Sequence, residues 1–198
     1  MGDSAKTIAA IIVVAMASAA TTPVFVGTRA DSMALRASDI GPGWHESERF
    51  SRNYTDNNTF GGHVILSEYA TMSNETSIIV SELYVFNSSQ AILGMFNSHR
   101  MLFNAITNNV DNVDIGEMGY IFRYGIYSTV SYLMIIDGHG FYANRTNIVR
   151  LEFIEGVVLS IITMSVKGVD APNQPWIWDF ILDVGAKQLQ KVDRYSSY

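Results

Sequence analysis

Four histidines, His45, His63, His99 and His139, are the first residues to test for chemistry. No pair is spaced H-x-H or H-x-x-x-H, so no local metal site is specified and none is expected. His99 falls near the edge of an apolar helical stripe, where a hydrogen-bonded structural role is the better reading. His139 sits in Asp137-Gly138-His139-Gly140, which reads as a turn. Nucleophile signatures fail as well: there is no G-x-S-x-G elbow, no S-x-x-K and no cysteine at all. The missing cysteines also exclude disulfides, a lipidated cysteine and any thiolate metal site. No Gly-rich phosphate loop occurs, and no cofactor is expected. Glu82, Glu117, Glu152 and Glu155 are dispersed over strands and turns, where a solvated sheet face is their expected place. A non-catalytic domain follows. A hydrolase with an unrecognised site would instead require a His or carboxylate with a strongly shifted pKa inside a cleft.

Aromatic residues offer the other candidate site. Trp44, Trp176 and Trp178, with tyrosines such as Tyr120, Tyr124, Tyr127 and Tyr132, suit either a glycan- or lipid-lined pocket or ordinary core and cross-strand packing. One helix face cannot bury both Trp176 and Trp178, so one of them belongs to the surface or a groove. Trp44, Trp176 and Trp178 are therefore the candidate ligand-pocket residues, placed between sheet and helix.

The compartment is read from the first 30 residues. Lys6 and Arg29 bracket an uncharged run, Thr7 to Thr28, with an apolar core at Ile8–Ala15 and a small-x-small exit at Ala17-Ser18-Ala19. That pattern is a secretory signal over 1–19; uncleaved, Thr7–Val26 is just long enough to anchor in a bilayer. Residues 20–34 then read as a linker or tail, and 35–195 as one domain. Five Asn-x-Ser/Thr sequons, at Asn53, Asn57, Asn74, Asn87 and Asn144, exceed the roughly two that chance gives for this content of Asn, Ser and Thr. They read either as glycosylation sites of an exported protein or as ordinary turn chemistry. With 13 Lys and Arg against 19 Asp and Glu, and no basic cluster, neither nucleic acid nor an anionic membrane surface is an expected partner. An envelope protein, a glycan or a small apolar ligand is.

The elements that must position these residues follow from periodicity. Strands are expected at 64–71 and 77–86, the second apolar on both faces and so central. Ser88 or Ser89 should cap a helix to about Ile106, with an apolar stripe from Ala91 to Ile106. Residues 118–124 and 129–136 suggest a hairpin, and 148–154 and 157–166 another around Glu155-Gly156. Pro175 should open a last helix to about Tyr195. Glu46–Gly62 and Thr107–Asp114 read as polar loops. The fold class is α+β: one antiparallel sheet of about six strands with helices packed against it.

Five local patterns in this order resemble secreted domains with the PsbP/Mog1-like α/β/α sandwich, among them actinobacterial extracellular sensor domains and small lipoproteins. Asp39-Ile40-Gly41-Pro42-Gly43-Trp44 is similar to their "DLPxGW" opening, and Tyr84 to Ala91 to the strand that runs into the first helix. Asp114-Ile115-Gly116-Glu117 resembles the "xxGDE" turn, Arg150 to Val158 the "VxFRxGNVVV" hairpin, and Asp183 to Val192 the closing helix. The resemblance covers about Leu35 to Arg194 and departs from the lipoproteins at the missing cysteine. It implies the sandwich fold and leaves function open, because this architecture serves unrelated roles. The expected function is a secreted or cell-surface binding module of the envelope. The alternative is a subunit of an extracellular assembly whose tail adds to a neighbour's sheet.

Overall fold

The computed structural model describes residues 33–54, 63–107, 110–125, 132–136, 139–143, 146–167 and 175–196. The leader, the tail to residue 32 and the sequon asparagines Asn57 and Asn144 lie outside them, so those readings stand as expectations. The chain divides into two compact units: a larger one of Val24–Ile126 with Thr146–Tyr198, and a smaller one of Met1–Pro23 with Tyr127–Arg145.

In the larger unit the described residues form seven strands, the inner ones rich in apolar residues and the edge ones polar: β1 (His45–Asn53), β2 (Val64–Ser73), β3 (Ser77–Phe86), β4 (Val110–Val113), β5 (Met118–Gly125), β8 (Thr146–Glu155) and β9 (Val158–Lys167). They form one antiparallel sheet in the order β1-β2-β3-β9-β8-β5-β4. Among the described residues three helices accompany it: α1 (Ala37–Ile40), α2 (Ser89–Thr107) and α3 (Pro175–Ser196). In the smaller unit β6 (Tyr132–Ile136) pairs with β7 (His139–Ala143).

Long apolar helices need partners, and α2 and α3 use opposite faces of the sheet. Ser88 caps α2, its Oγ accepting from the Ala91 N–H at 3.3 Å. The 4-3-4 spacing of Ile92, Phe96, His99 and Phe103 then turns one stripe toward Tyr84, Tyr120, Phe122 and Ile161. Pro175 begins α3, where its missing N–H costs nothing. Ile177, Ile181 and Val184 are fully buried against Ile79, Val149, Leu151, Phe153 and Ile162. Gly185 lets α3 lie close to the sheet: a Cβ there would come within 2.4 Å of Leu151 Cδ2. β3 and β9 thus bury both faces, as expected of central strands.

The structure corrects the sequence reading in four places. The sheet has seven strands rather than about six, because His45–Asn53 and Val110–Val113, read as loops, are the two edge strands. Their charged residues suit edges, where one face and one side meet water. The expected hairpin of 118–124 with 129–136 is replaced, among the described residues, by β5 pairing with β4 and β8 and by β6 pairing with β7. His139 therefore opens a strand, opposite Ile136. The β8–β9 loop is Gly156-Val157, one residue later than expected, with Gly156 at φ 58°. Finally Met33 and Ala34, read as the end of a tail, are buried in the larger unit.

Candidate functional site

The notable chemistry lies beneath α2. Arg150 and Glu152, two apart on β8, share the face opposite Val149 and Leu151, and this face is covered. Glu152 is 0% exposed and Arg150 is 7% exposed. On β3 Glu82 projects to the same side, in register with Ile161 of β9, which in turn faces Glu152 of β8. The expectation of a wet face for these carboxylates is overturned, since α2 replaces the water.

Burial of two carboxylates demands compensation, and the neighbours supply it. Arg150 Nε donates to Glu152 Oε1 at 2.6 Å. Its Nη1 lies 4.0 Å from Glu82 Oε2. Tyr120 donates its hydroxyl to Glu152 Oε2 at 2.6 Å, and Tyr84 donates to Glu82 Oε1 at 3.0 Å. From α2, His99 Nδ1 stands 3.1 Å from Glu152 Oε2. The ring of Phe103, one turn further on, lies 5.2 Å under the guanidinium of Arg150 and stacks on Phe122 at 4.0 Å.

The electrostatics say what this cluster can do. Burial alone would raise the Glu152 carboxyl, but Arg150 first, then His99 and Tyr120, outweigh it and hold it at about 2. Burial and then Glu152 push the Tyr120 hydroxyl well above its ordinary value, so it stays a donor. Burial opposes the charge of Arg150, yet Glu152 and Glu82 raise its pKa further. A carboxylate locked in its ionised form does not exchange protons near neutral pH, so Glu152 is unsuited to general acid–base work. Among the described residues no three His, Asp or Glu are grouped to hold a metal. The cluster fastens α2 to the sheet.

Sequence reasoning named Glu82, Glu152 and His99 without joining them. The usable signal was Glu82 inside a strand apolar on both faces, and Arg150-x-Glu152 at the spacing of one strand face.

Of the expected pocket residues, Trp44 stacks on Phe180 of α3, with ring centroids 6.0 Å apart and planes 16° from parallel. Trp176 is 49% exposed, and lies one helical turn before Phe180, so the two follow each other along one stripe. Trp178, two residues on, packs against the core from a different side of the helix. Of the pair, Trp176 is the one that faces water. Among the sequons, Asn53 and Asn87 are exposed at strand ends. Asn74 Oδ1 accepts from the N–H groups of Thr76 (3.0 Å) and Ser77 (2.8 Å), holding the β2–β3 turn.

Comparison with known proteins gives a fold. No family model matches the chain, and no curated protein matches it. Among solved structures it is similar to the extracellular domain of PknH from Mycobacterium tuberculosis, with a TM-score of 0.52 and 9% identity. That match covers 87% of this chain and 98% of the other. At such identity the likeness is one of fold: an antiparallel sheet with helices packed against it, shared with an extracellular domain.

Proposed function

We propose that this chain is a non-catalytic, extracytoplasmic binding domain of the cell envelope, of the PsbP/Mog1-like sandwich kind. The observation that carries the reading is the likeness to a whole extracellular domain, in a chain whose own residues 1–19 have the pattern of an export signal. The buried cluster supports it from the other side: its one strongly ionised carboxylate is sealed and paired, which suits scaffolding rather than turnover. Among the described residues no helix is long and apolar enough to cross a membrane. The ligand side is then the stripe of Trp176, Phe180 and Trp44, where exposed aromatic surface meets the solvent. A glycan or an apolar ligand fits such rings, and an envelope protein fits a flatter aromatic patch.

Labelling intact producing cells with a membrane-impermeant amine reagent, followed by N-terminal sequencing of the recovered chain, tests the location. Labelled protein beginning near Ala20, or retained whole in the envelope, supports the reading. Unlabelled protein in the cytosol, beginning at Met1, overturns it.

A further inference from the structure

Residues 33–40 are held unlike the rest of the fold. Met33, Ala34 and Leu35 are buried, yet they belong to no strand. Side chains of the body grip their backbone instead. The Ala34 N–H donates to Glu68 Oε2 of β2 at 2.8 Å. The Leu35 N–H donates to Gln188 Oε1 of α3 at 3.2 Å, and Gln188 Nε2 donates back to the Met33 carbonyl at 2.5 Å. Lys191 Nζ donates to the Ala34 carbonyl at 3.4 Å, and Arg49 of β1 donates to the Leu35 carbonyl. Gln188 is itself buried and further fixed by the Ser81 hydroxyl at 3.2 Å.

One turn of helix follows and docks in the same way. The Asp39 carboxylate accepts from the Arg36 N–H at 2.7 Å and pairs with Lys191 Nζ at 2.5 Å, while Leu35 and Ile40 enter the core under α3. Beyond it stands Gly41-Pro42-Gly43, with φ 149° at Gly41 and 83° at Gly43. Two glycines around a proline make a joint that turns at little steric cost.

These contacts define a groove between α3 and strands β1–β3 whose side chains hold the backbone of residues 33–35. The groove sees only residues 33–40, not how they are tethered, so an identical segment from another molecule meets the same donors and acceptors. We propose that residues 33–40 form an exchangeable arm, which swings about Gly41-Pro42-Gly43 and seats in the same groove of a second copy of this chain. The exchanged dimer keeps the arm contacts of two closed monomers, so closed and exchanged forms interconvert with concentration, as in domain swapping generally. The partner is thereby specified: a second copy, docking through its arm rather than through an added edge strand.

The Lys191–Asp39 pair supplies the test, because a carbodiimide joins a carboxylate and an ammonium in direct contact into an amide. Native protein grown in light medium and in heavy-nitrogen medium is mixed at high concentration, unfolded in urea, refolded together and cross-linked. Exchange yields Asp39–Lys191 peptide pairs with one light and one heavy partner, approaching half of all such pairs and falling when refolding is done dilute. Only light–light and heavy–heavy pairs at every concentration would overturn the proposal. A second measurement does not depend on the cross-link. Asp39→Lys and Lys191→Asp each set like charges against each other in the closed form, and only an exchanged heterodimer restores opposite charges in both grooves. Sedimentation of the equimolar mixture should show dimer that neither variant forms alone; a mixture that stays monomeric sinks the idea.

Discussion

Removing the charge of Glu152 without changing its shape is the sharpest test of the cluster under α2. In Glu152→Gln the amide still fits between Tyr120 and Arg150, but among the described residues the guanidinium then has Glu82, at 4.0 Å, as its negative neighbour. Two routes give the cost. Taking one partner from a buried ion pair costs about 3–5 kcal/mol. The depression of the Glu152 carboxyl from 4.5 to about 2, at 1.36 kcal/mol per unit, corresponds to about 3 kcal/mol. Because the folded value lies below the unfolded one, this stabilisation is fully present above about pH 4.5. It is lost as the pH falls toward 2. Urea unfolding followed by tryptophan fluorescence should therefore place the variant about 3 kcal/mol below the parent at pH 7. For a typical urea slope of about 2 kcal/mol per molar, that is a midpoint shift of about 1.5 M. Repeating the titration at falling pH should narrow the gap between the two proteins below about pH 4.5. A variant within about 1 kcal/mol of the parent at pH 7, or a gap unchanged by acid, would refute the account of Glu152 as a paired, ionised carboxylate.

Three further perturbations separate the other roles. Gly185→Ala should destabilise by about 1–3 kcal/mol despite better helix propensity, since the new methyl meets Leu151 and Ile115 at less than 3 Å; a gain in thermal midpoint would contradict the close approach of α3. Trp44→Ala should lower stability by about 2 kcal/mol through loss of the Phe180 stack, whereas Trp176→Ser should stay within about 0.5 kcal/mol. Equal losses in denaturant unfolding would mean that Trp176 is structural. Asn74→Ala should cost about 1 kcal/mol and Asn74→Asp almost nothing, because the aspartate keeps the acceptor that holds Thr76 and Ser77. Equal effects would favour a role for the amide nitrogen instead.

Much of the fold was legible because its signals are local. Apolar residues on both faces of β3 marked a central strand, Ser88 and Pro175 announced the two long helices, and the β8–β9 hairpin was off by one residue. The edge strands were not legible. His45–Asn53 holds five charged or histidine side chains, and nothing local distinguishes a wet strand from a loop; its pairing with β2 decides. The cluster was half legible for a related reason. Alternation along β8 put Arg150 and Glu152 on one face, but whether water or a helix covers that face is decided by α2, about 50 residues away. The arm was invisible: Met33 and Ala34 carry no pattern, and the residues that grip them lie far along the chain.

That distance bears on the order in which the molecule can fold. The central pairing of β3 with β9 joins Ser77 to Val166, and the arm waits for Gln188 and Lys191, 153 and 157 residues downstream of the positions they hold. Such a high contact order slows folding into the range of milliseconds to seconds. A chain released from its amino end cannot close its sheet until β9 has emerged, nor bury residues 33–35 until α3 has followed. On the proposed export of the chain as an unfolded thread, this delay would leave residues 33–35 unfastened until α3, the last helix to arrive, closes over them.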